Sequence, residues 1–327
     1  MITAPICEFV RRYRYSGALR MHMPGHKGTA LLGPEPLDLT EIEGADVLYH
    51  AEGIIRESEA NAAALFGTKK TVYSAEGSSL CIRAMLYLAL LHARANHKKP
   101  VIAAGRNAHK VFMTAAALLD LDIRWIYGTE SVISCTITPA QLEDVLVAEN
   151  PAAVYITSPD YLGNIADIKS LSAVCKKHGV LLLVDNAHGA YLRFLPAPMH
   201  PMQLGADICC DSAHKTLPVL TGGAYLHIAH GTPDMLAQRA ESAMALFAST
   251  SPSYLILQSL DAMNPLLATS FPAQLKACAE RLDTLKAKLR AHGYALCGEE
   301  RTKLCLLPKS FGYTGTALAE ILTHSNI

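Results

Sequence analysis

Between residues 71 and 228 the chain alternates short apolar runs with longer stretches of helical period, a pattern that few architectures accept. The runs at 71–73, 100–104, 122–127, 152–157, 180–184, 206–210 and 223–228 read as strands. The segments 78–96, 108–119, 139–149 and 168–178 read as helices. Thr138 before Pro139 is a cap-then-proline start, and Gly179 after His178 is a stop. Strands separated by helices of this length need crossover connections. The expected fold class is therefore α/β, a mostly parallel seven-stranded sheet flanked by helices on both faces. Such sheets bind ligands beyond the carboxyl ends of their strands, so the loops after each apolar run are where chemistry is sought.

Two of those loops carry the strongest signal. The run at 180–184 ends in DNAHG (185–189), and the run at 206–210 leads through Asp211 and Ser212 to His214 and Lys215. A carboxylate that terminates an aliphatic run needs a partner, because an unpaired buried charge is expensive. For Asp185 that partner is either a protonated pyridine nitrogen or a backbone cap. A lysine at the same sheet edge can condense with an aldehyde, so Asp185 and Lys215 together suit pyridoxal phosphate. Burial beside other cationic groups lowers a lysine pKa, which such chemistry needs. Ser212 and His214 stand where they can donate to a phosphate. Ala187 is small enough for a flat ring to approach, and His188 either touches the substrate side of that ring or caps the loop.

Other loops are weaker alone. Gly77, Ser78 and Ser79 open a helix, so amides and hydroxyls converge where a phosphate can sit, although such a turn is ordinarily a cap. His109 either stacks on a cofactor ring or stands in solvent at a helix start. Tyr161, in TSPDYLGNI (157–165), either walls a pocket or belongs to a plain connection.

Composition excludes several classes. Half of the 327 residues are hydrophobic and the formal net charge is zero, so no basic excess drives binding to nucleic acid. The apolar stretch 80–91 is broken by Arg83 and 111–119 is too short to cross a bilayer, so no membrane association is expected. The N-terminus, MITAPICEFVRRYRYSG, lacks the apolar core of a signal peptide. Nine cysteines without framework spacing read as thiols in a reducing compartment, and the expected location is cytoplasmic. Cys209 and Cys210 are adjacent on a strand and should pack on opposite faces. No CxxC or HExxH occurs, so no metal site is expected.

Three regions follow: an N-terminal arm and entry helix region (1–60), a large cofactor-binding domain (61–252), and linker helices with a truncated C-terminal domain (253–327). The stretch 253–292 is amphipathic and helical, with Gly293 as a stop. Strand-like 294–296 and 304–307 and helix-like 315–322 begin a small α/β domain, expected to be incomplete at Ile327.

The motifs MHMPGHKG (21–28), DLTEIEGADVLYHAEGII (38–55), the GSS turn, RNAHK (106–110), DNAHG and DSAHKTLPVLTGGAYLHI (211–228) occur in this order. With STSPSYLILQSLD (249–261), they make the chain resemble the Orn/Lys/Arg decarboxylase family over residues 21–261. It looks like the shorter, arginine-decarboxylase-like branch without an N-terminal regulatory wing, truncated at its C-terminus. The resemblance implies the aspartate-aminotransferase-like fold, fold type I of the pyridoxal phosphate enzymes. It implies that Lys215 carries the cofactor, Asp185 partners the pyridine nitrogen, His109 stacks, and Ser78, Ser79, Ser212 and His214 hold the phosphate, with His188 in the same pocket. It further implies decarboxylation of arginine, lysine or ornithine to agmatine, cadaverine or putrescine, with Lys215 or His188 returning the proton to Cα. A homodimer or higher homo-oligomer with shared sites is implied too, the MPGHKG arm and 250–254 being the segments that reach the neighbour.

The sequence departs from the family at Gly222 in place of glutamine, at Asn186 where an acidic residue is common, and at Glu76 in place of asparagine; these changes bear on substrate specificity. Asp46, Glu52 and Asp160 are acidic residues that could grip a cationic side chain. Two alternatives stand beside the decarboxylase reading: an aminotransferase-type enzyme on the same fold, and a truncated, non-catalytic paralogue that associates with a full-length decarboxylase.

Overall fold

The seven apolar runs pair into one sheet. A computed structural model describes residues 2–128 and 133–327. The strands are β1 (Lys70–Ser74), β2 (Val101–Gly105), β3 (Asp122–Ile126), β4 (Ala153–Thr157), β5 (Leu181–Asp185), β6 (Ile208–Asp211) and β7 (Ala224–Ile228). Their spatial order is β1-β7-β6-β5-β4-β2-β3. From β3 across to β6 every pairing is parallel, as expected. Strand β7 is antiparallel to both β6 and β1, so the sheet is mixed at one side. The reason is local. Between β6 and β7 the chain holds only a four-residue helix, too little to cross the sheet, and it turns back instead.

Alternate residues of the central strands face opposite layers. Tyr155, Leu183 and Cys210 enter the larger core, whereas Val154, Val184 and Cys209 enter the smaller one. The adjacent cysteines are thus split between faces. The larger core is roofed by α1 (Pro5–Arg14), α2 (Ile54–Phe66), α3 (Gly77–Ala95) and α4 (Lys110–Leu118). The smaller core lies under α5 (Pro139–Glu149), α6 (Ile168–His178) and α7 (Pro201–Leu204). Helix α5 starts on a capping box between Thr138 and Gln141, and α6 ends on Gly179 at φ 62°, a left-handed stop.

After β6 comes the single turn α8 (Ala213–Thr216); after β7, helices α9 (Asp234–Ala245), α10 (Tyr254–Ala268) and α11 (Phe271–Ala291) pack on the larger core. The sequence suggested an entry helix within residues 1–60 but not the bounds of α1. That helix is held from far along the chain, where the Asp261 carboxylate accepts from the Cys7 amide at 2.8 Å and from the Ser58 hydroxyl at 2.5 Å. Residues 15–34, which include the MPGHKG arm, carry no helix or strand. The C-terminal piece is a hairpin of β8 (Leu296–Cys297) and β9 (Cys305–Leu306) followed by α12 (Gly315–His324). It docks through the Glu299 and Glu300 amides, which donate to the Gly163 carbonyl at 2.8 and 2.9 Å. No described helix is long and apolar enough to cross a membrane.

A buried polar network ties neighbouring strands together at the level of Asp211. Its Oδ1 accepts from Asn186 Nδ2 at 2.6 Å, and its Oδ2 accepts from His200 Nε2 at 2.9 Å and His227 Nε2 at 3.2 Å. The Thr71 hydroxyl, in β1, donates to His227 Nδ1 at 2.8 Å. Burial alone would push the Asp211 carboxyl up; the two histidines hold it well below the usual carboxylate range. A depressed folded pKa means this stabilisation is complete above about pH 4 and is lost as the pH falls through more acidic values. Asp211→Ala should destabilise the chain by about 3–5 kcal/mol at neutral pH, read by urea unfolding, because it strands buried donors. A loss within experimental scatter would mean that the network adds nothing.

Candidate active site

Parallel strands end at the same edge, so β4, β5 and β6 deliver their last residues to one place. Thr157 lies opposite Asp185 across the β4–β5 ladder, and Asp185 lies opposite Cys210 across β5–β6. Beyond these ends is a cavity of about 540 Å³, within the roughly 300–1,000 Å³ range of small-molecule sites. All ten residues singled out from the sequence line it: Gly77, Ser78, Ser79, His109, Asp185, Ala187, His188, Ser212, His214 and Lys215.

Asp185 is 2% exposed. Its carboxylate accepts from the Tyr155 hydroxyl at 3.0 Å, the Ala187 amide at 3.2 Å and the Cys210 thiol at 3.7 Å. All three donors are neutral. Burial therefore raises the carboxyl pKa, against the pull of Tyr155, the Ala187 amide and the more distant His109 and Lys215 charges. A cationic ligand atom would relieve that cost. Tyr155 escaped the sequence reading because a tyrosine inside an aliphatic strand signals only core packing; its role depends on the neighbouring strand.

Lys215 sits on α8 and is open to the cavity, not buried as the sequence had suggested. Its Nζ lies 3.3 Å from His188 Nε2, and an ammonium there donates to the imidazole. Burial first, then the charges of Lys215, Lys303 and His109, push the His188 pKa down to about 4. Above His188 stands Tyr161, ring edge to ring face at 6.3 Å between centroids, so Tyr161 walls the pocket.

The opposite side of the cavity is built for an anion. Gly77, at φ +73°, turns the chain into the nineteen-residue helix α3, whose N-terminus no side chain caps. Its positive end faces the cavity beside two hydroxyls, Ser212 donating to Ser78 at 2.6 Å. His214 is closer to committed than expected: Nδ1 donates to the Gly223 carbonyl at 3.0 Å, so Nε2 donates to a ligand only from a doubly protonated ring. His109 caps α4 by accepting from the Val111 amide at 3.2 Å, and it lines the cavity. The buried Thr157 hydroxyl on the cavity wall has no hydrogen-bond partner among the described residues, a second residue missed from sequence. An anion cradle, a reachable amine and a buried carboxylate fit a ligand with a phosphate, an aldehyde and a basic ring nitrogen.

Other residues named from the sequence stand outside the cavity lining of the single chain. Gly222, Asn186 and Glu76 do not line the cavity. A Cβ at Gly222, at φ +101°, would lie 2.8 Å from the Ala75 carbonyl oxygen, and Glu76 accepts from the Ser249 amide at 2.7 Å. Asp46 and Asp160 are taken up by backbone amides of their own loops, Val47, Glu52, Gly53 and Ile55 for the first and Leu162 and Asn164 for the second. Tyr254, at the end of the 250–254 segment, is buried within its own chain, its hydroxyl donating to the Ala45 carbonyl. His200, Cys209 and Asp211 bring possible metal-ligand atoms within 4.8 Å of one another, a grouping invisible in sequence spacing. Both Asp211 oxygens there are already engaged in the buried network.

Residues 4–293 match the family model described as Orn/Lys/Arg decarboxylase, major domain. Curated relatives include an arginine decarboxylase of Halalkalibacterium halodurans, 30% identical over 95% of this chain and 67% of that protein. An arginine decarboxylase of Bacillus subtilis is 30% identical over 98% of this chain and 69% of that protein. Among solved structures, lysine decarboxylase A from Pseudomonas aeruginosa matches with a TM-score of 0.75 at 17% identity, a likeness of fold. That match covers 89% of this chain but only 44% of the solved one.

The geometry makes His188 a neutral imidazole at pH 7. Titrated by NMR in the cofactor-free chain, it should show a midpoint of about 4. In Lys215→Met the midpoint should move up, because one repelling charge is gone. The sign for folding follows: the unfolded ring takes its proton near pH 6.5 and the folded one does not, so this group lowers stability as the pH falls across that interval. A midpoint near the ordinary value of about 6.5 would contradict the site electrostatics.

Proposed function

The chain belongs to the Orn/Lys/Arg decarboxylase family, and on that premise we propose that it decarboxylates a basic L-amino acid with pyridoxal phosphate. The observation that carries this is Asp185 and Lys215 meeting at one cavity, with the uncapped N-terminus of α3 across from them. Arginine is the first substrate to test, since two curated relatives bear that activity in their names; lysine and ornithine follow.

Lys215 Nζ is the amine that holds the cofactor. Asp185, oriented by the Tyr155 hydroxyl and the Ala187 amide, faces its ring nitrogen. Ser78, Ser79, Ser212 and the amides that open α3 take the phosphate, joined by His214 when its ring is protonated. His109 would lie against the ring, and Ala187 would leave it room at the sheet edge. Pyridoxal phosphate supplies a conjugated ring that accepts the electron pair released when the Cα–carboxylate bond breaks. His188, neutral at pH 7, accepts a hydrogen bond from the Lys215 ammonium at Nε2 and holds it at the cavity, and Lys215 or His188 returns a proton to Cα. Tyr161 stands edge-on over the His188 ring at the cavity wall. The exposed arm, with Met21 at 80% and Met23 at 66% exposure, supports docking on a second copy of the chain. A cytoplasmic location fits nine free cysteines.

Loading with pyridoxal phosphate, reducing with borohydride and mapping by mass spectrometry should find the phosphopyridoxyl group on Lys215. Adducts scattered over surface lysines would refute the assignment. With arginine, lysine and ornithine offered in turn, one should release CO2 and its amine. Lys215→Ala should lower that release to background, and His188→Ala should slow it about 10²–10⁴-fold, the usual weight of a proton-transfer group. A keto acid product in place of an amine would move the chain to the aminotransferase class.

A further inference from the structure

The C-terminal hairpin carries a second set of reactive groups. Cys297 in β8 and Cys305 in β9 are direct partners across the antiparallel ladder, and their Sγ atoms lie 3.3 Å apart. Opposed Cα atoms in such a ladder are about 4.5–5.5 Å apart, inside the roughly 4.4–6.8 Å that a disulfide spans. Both side chains are half-buried, unlike the fully enclosed Cys81, Cys175, Cys209 and Cys210, so a small reagent reaches them.

We propose that Cys297 and Cys305 form a thiol–disulfide exchange site, which a small disulfide of the glutathione type converts to a cross-strand disulfide. One cysteine sulfur displaces a glutathione from the reagent to give a mixed disulfide, and the other cysteine sulfur displaces the second glutathione. Two cysteine S–H bonds and the reagent S–S bond break, one protein S–S bond forms, and the two glutathione sulfurs leave as thiols with the two protons.

The closed ring holds the loop that meets the cavity mouth. Gly298 packs so tightly that a Cβ there would lie 2.2 Å from the Leu162 carbonyl oxygen. The Glu299 and Glu300 amides bind the Gly163 carbonyl, and Lys303 Nζ donates to the Tyr161 carbonyl at 3.2 Å. Oxidation therefore stiffens the loop on which Tyr161 rests. Burial and the neighbouring Cys305 sulfur push the Cys297 thiol up to about 11, so exchange is slow at neutral pH and is better driven at about pH 8.5.

The test is a peptide map of the full chain after incubation with glutathione disulfide, alkylation of remaining thiols and tryptic digestion without reduction. Trypsin cuts after Arg301 and Lys303, which separates AHGYALCGEER (291–301) from LCLLPK (304–309). The expected result is a linked pair of these peptides, two hydrogens lighter than their sum, abolished by dithiothreitol and absent from Cys305→Ser. The Glu299 and Glu300 amides should exchange with deuterium more slowly in the oxidised chain. Recovery of both peptides separately, alkylated or glutathionylated, from protein with native circular dichroism would overturn the site. Unchanged exchange at the two amides would overturn its action on the Tyr161 loop. Neither readout needs cofactor or turnover, so a failed decarboxylase assay leaves this inference standing, and the reverse holds.

Discussion

The 2.6 Å hydrogen bond from the Asn186 amide to the Asp211 carboxylate, wholly buried, joins the ends of β5 and β6. Each partner adjoins a residue of the cavity. Asn186 follows Asp185, and Asp211 precedes Ser212 and the turn that presents Lys215. The backbone ladder ends one step past Asp185 and Cys210, where the Asn186 amide donates to the Cys210 carbonyl at 2.9 Å, and beyond it the side-chain bond joins the strands. The same carboxylate is gripped by His200 and His227, and Thr71 extends the network to β1. A buried charge of this kind is tolerable because the Asp211 oxygens accept from Asn186, His200 and His227. The distance between the carboxylate and the amine of the active site rests on it.

This network changes the meaning of the positions where the chain departs from its family. Asn186 is a donor to a carboxylate one strand away; an acidic residue in its place would set two carboxyl groups 2.6 Å apart and force them to share a proton. Gly222 serves the turn that opens α3, since its carbonyl accepts from the Gly77 amide at 2.7 Å and its left-handed backbone leaves no room for a Cβ. Glu76 turns its carboxylate to the Ser249 amide and away from the helix end, which stays open to an anion. Substrate choice must be sought among the residues that line the cavity.

Much of the fold was legible because its strands are buried on both faces. Aliphatic runs such as LLLVD and ICCD have no reading as surface structure, and the helices between them carry their own caps and stops. The bounds of helix α1 and the direction of β7 were not legible. The first depends on Asp261, some 250 positions away, and the second on how little helix separates β6 from β7. In the site, residues at strand ends followed from topology, since parallel strands share an edge. Tyr155 and His200 did not, because each bonds across a strand boundary that no local pattern marks.

Taken alone, the sequence determined the element order, the parallel core of the sheet and the ten residues that reach its carboxyl edge, because hydrophobic period and turn chemistry are local properties of a chain. Only the tertiary structure decided what state those residues are in. It made Asp185 a carboxylate among neutral donors, drove the His188 pKa down, left Lys215 open, and set Cys297 against Cys305. Protonation and reactivity depend on which charges, donors and apolar surfaces come within a few ångströms, and residues far apart in the sequence supply them.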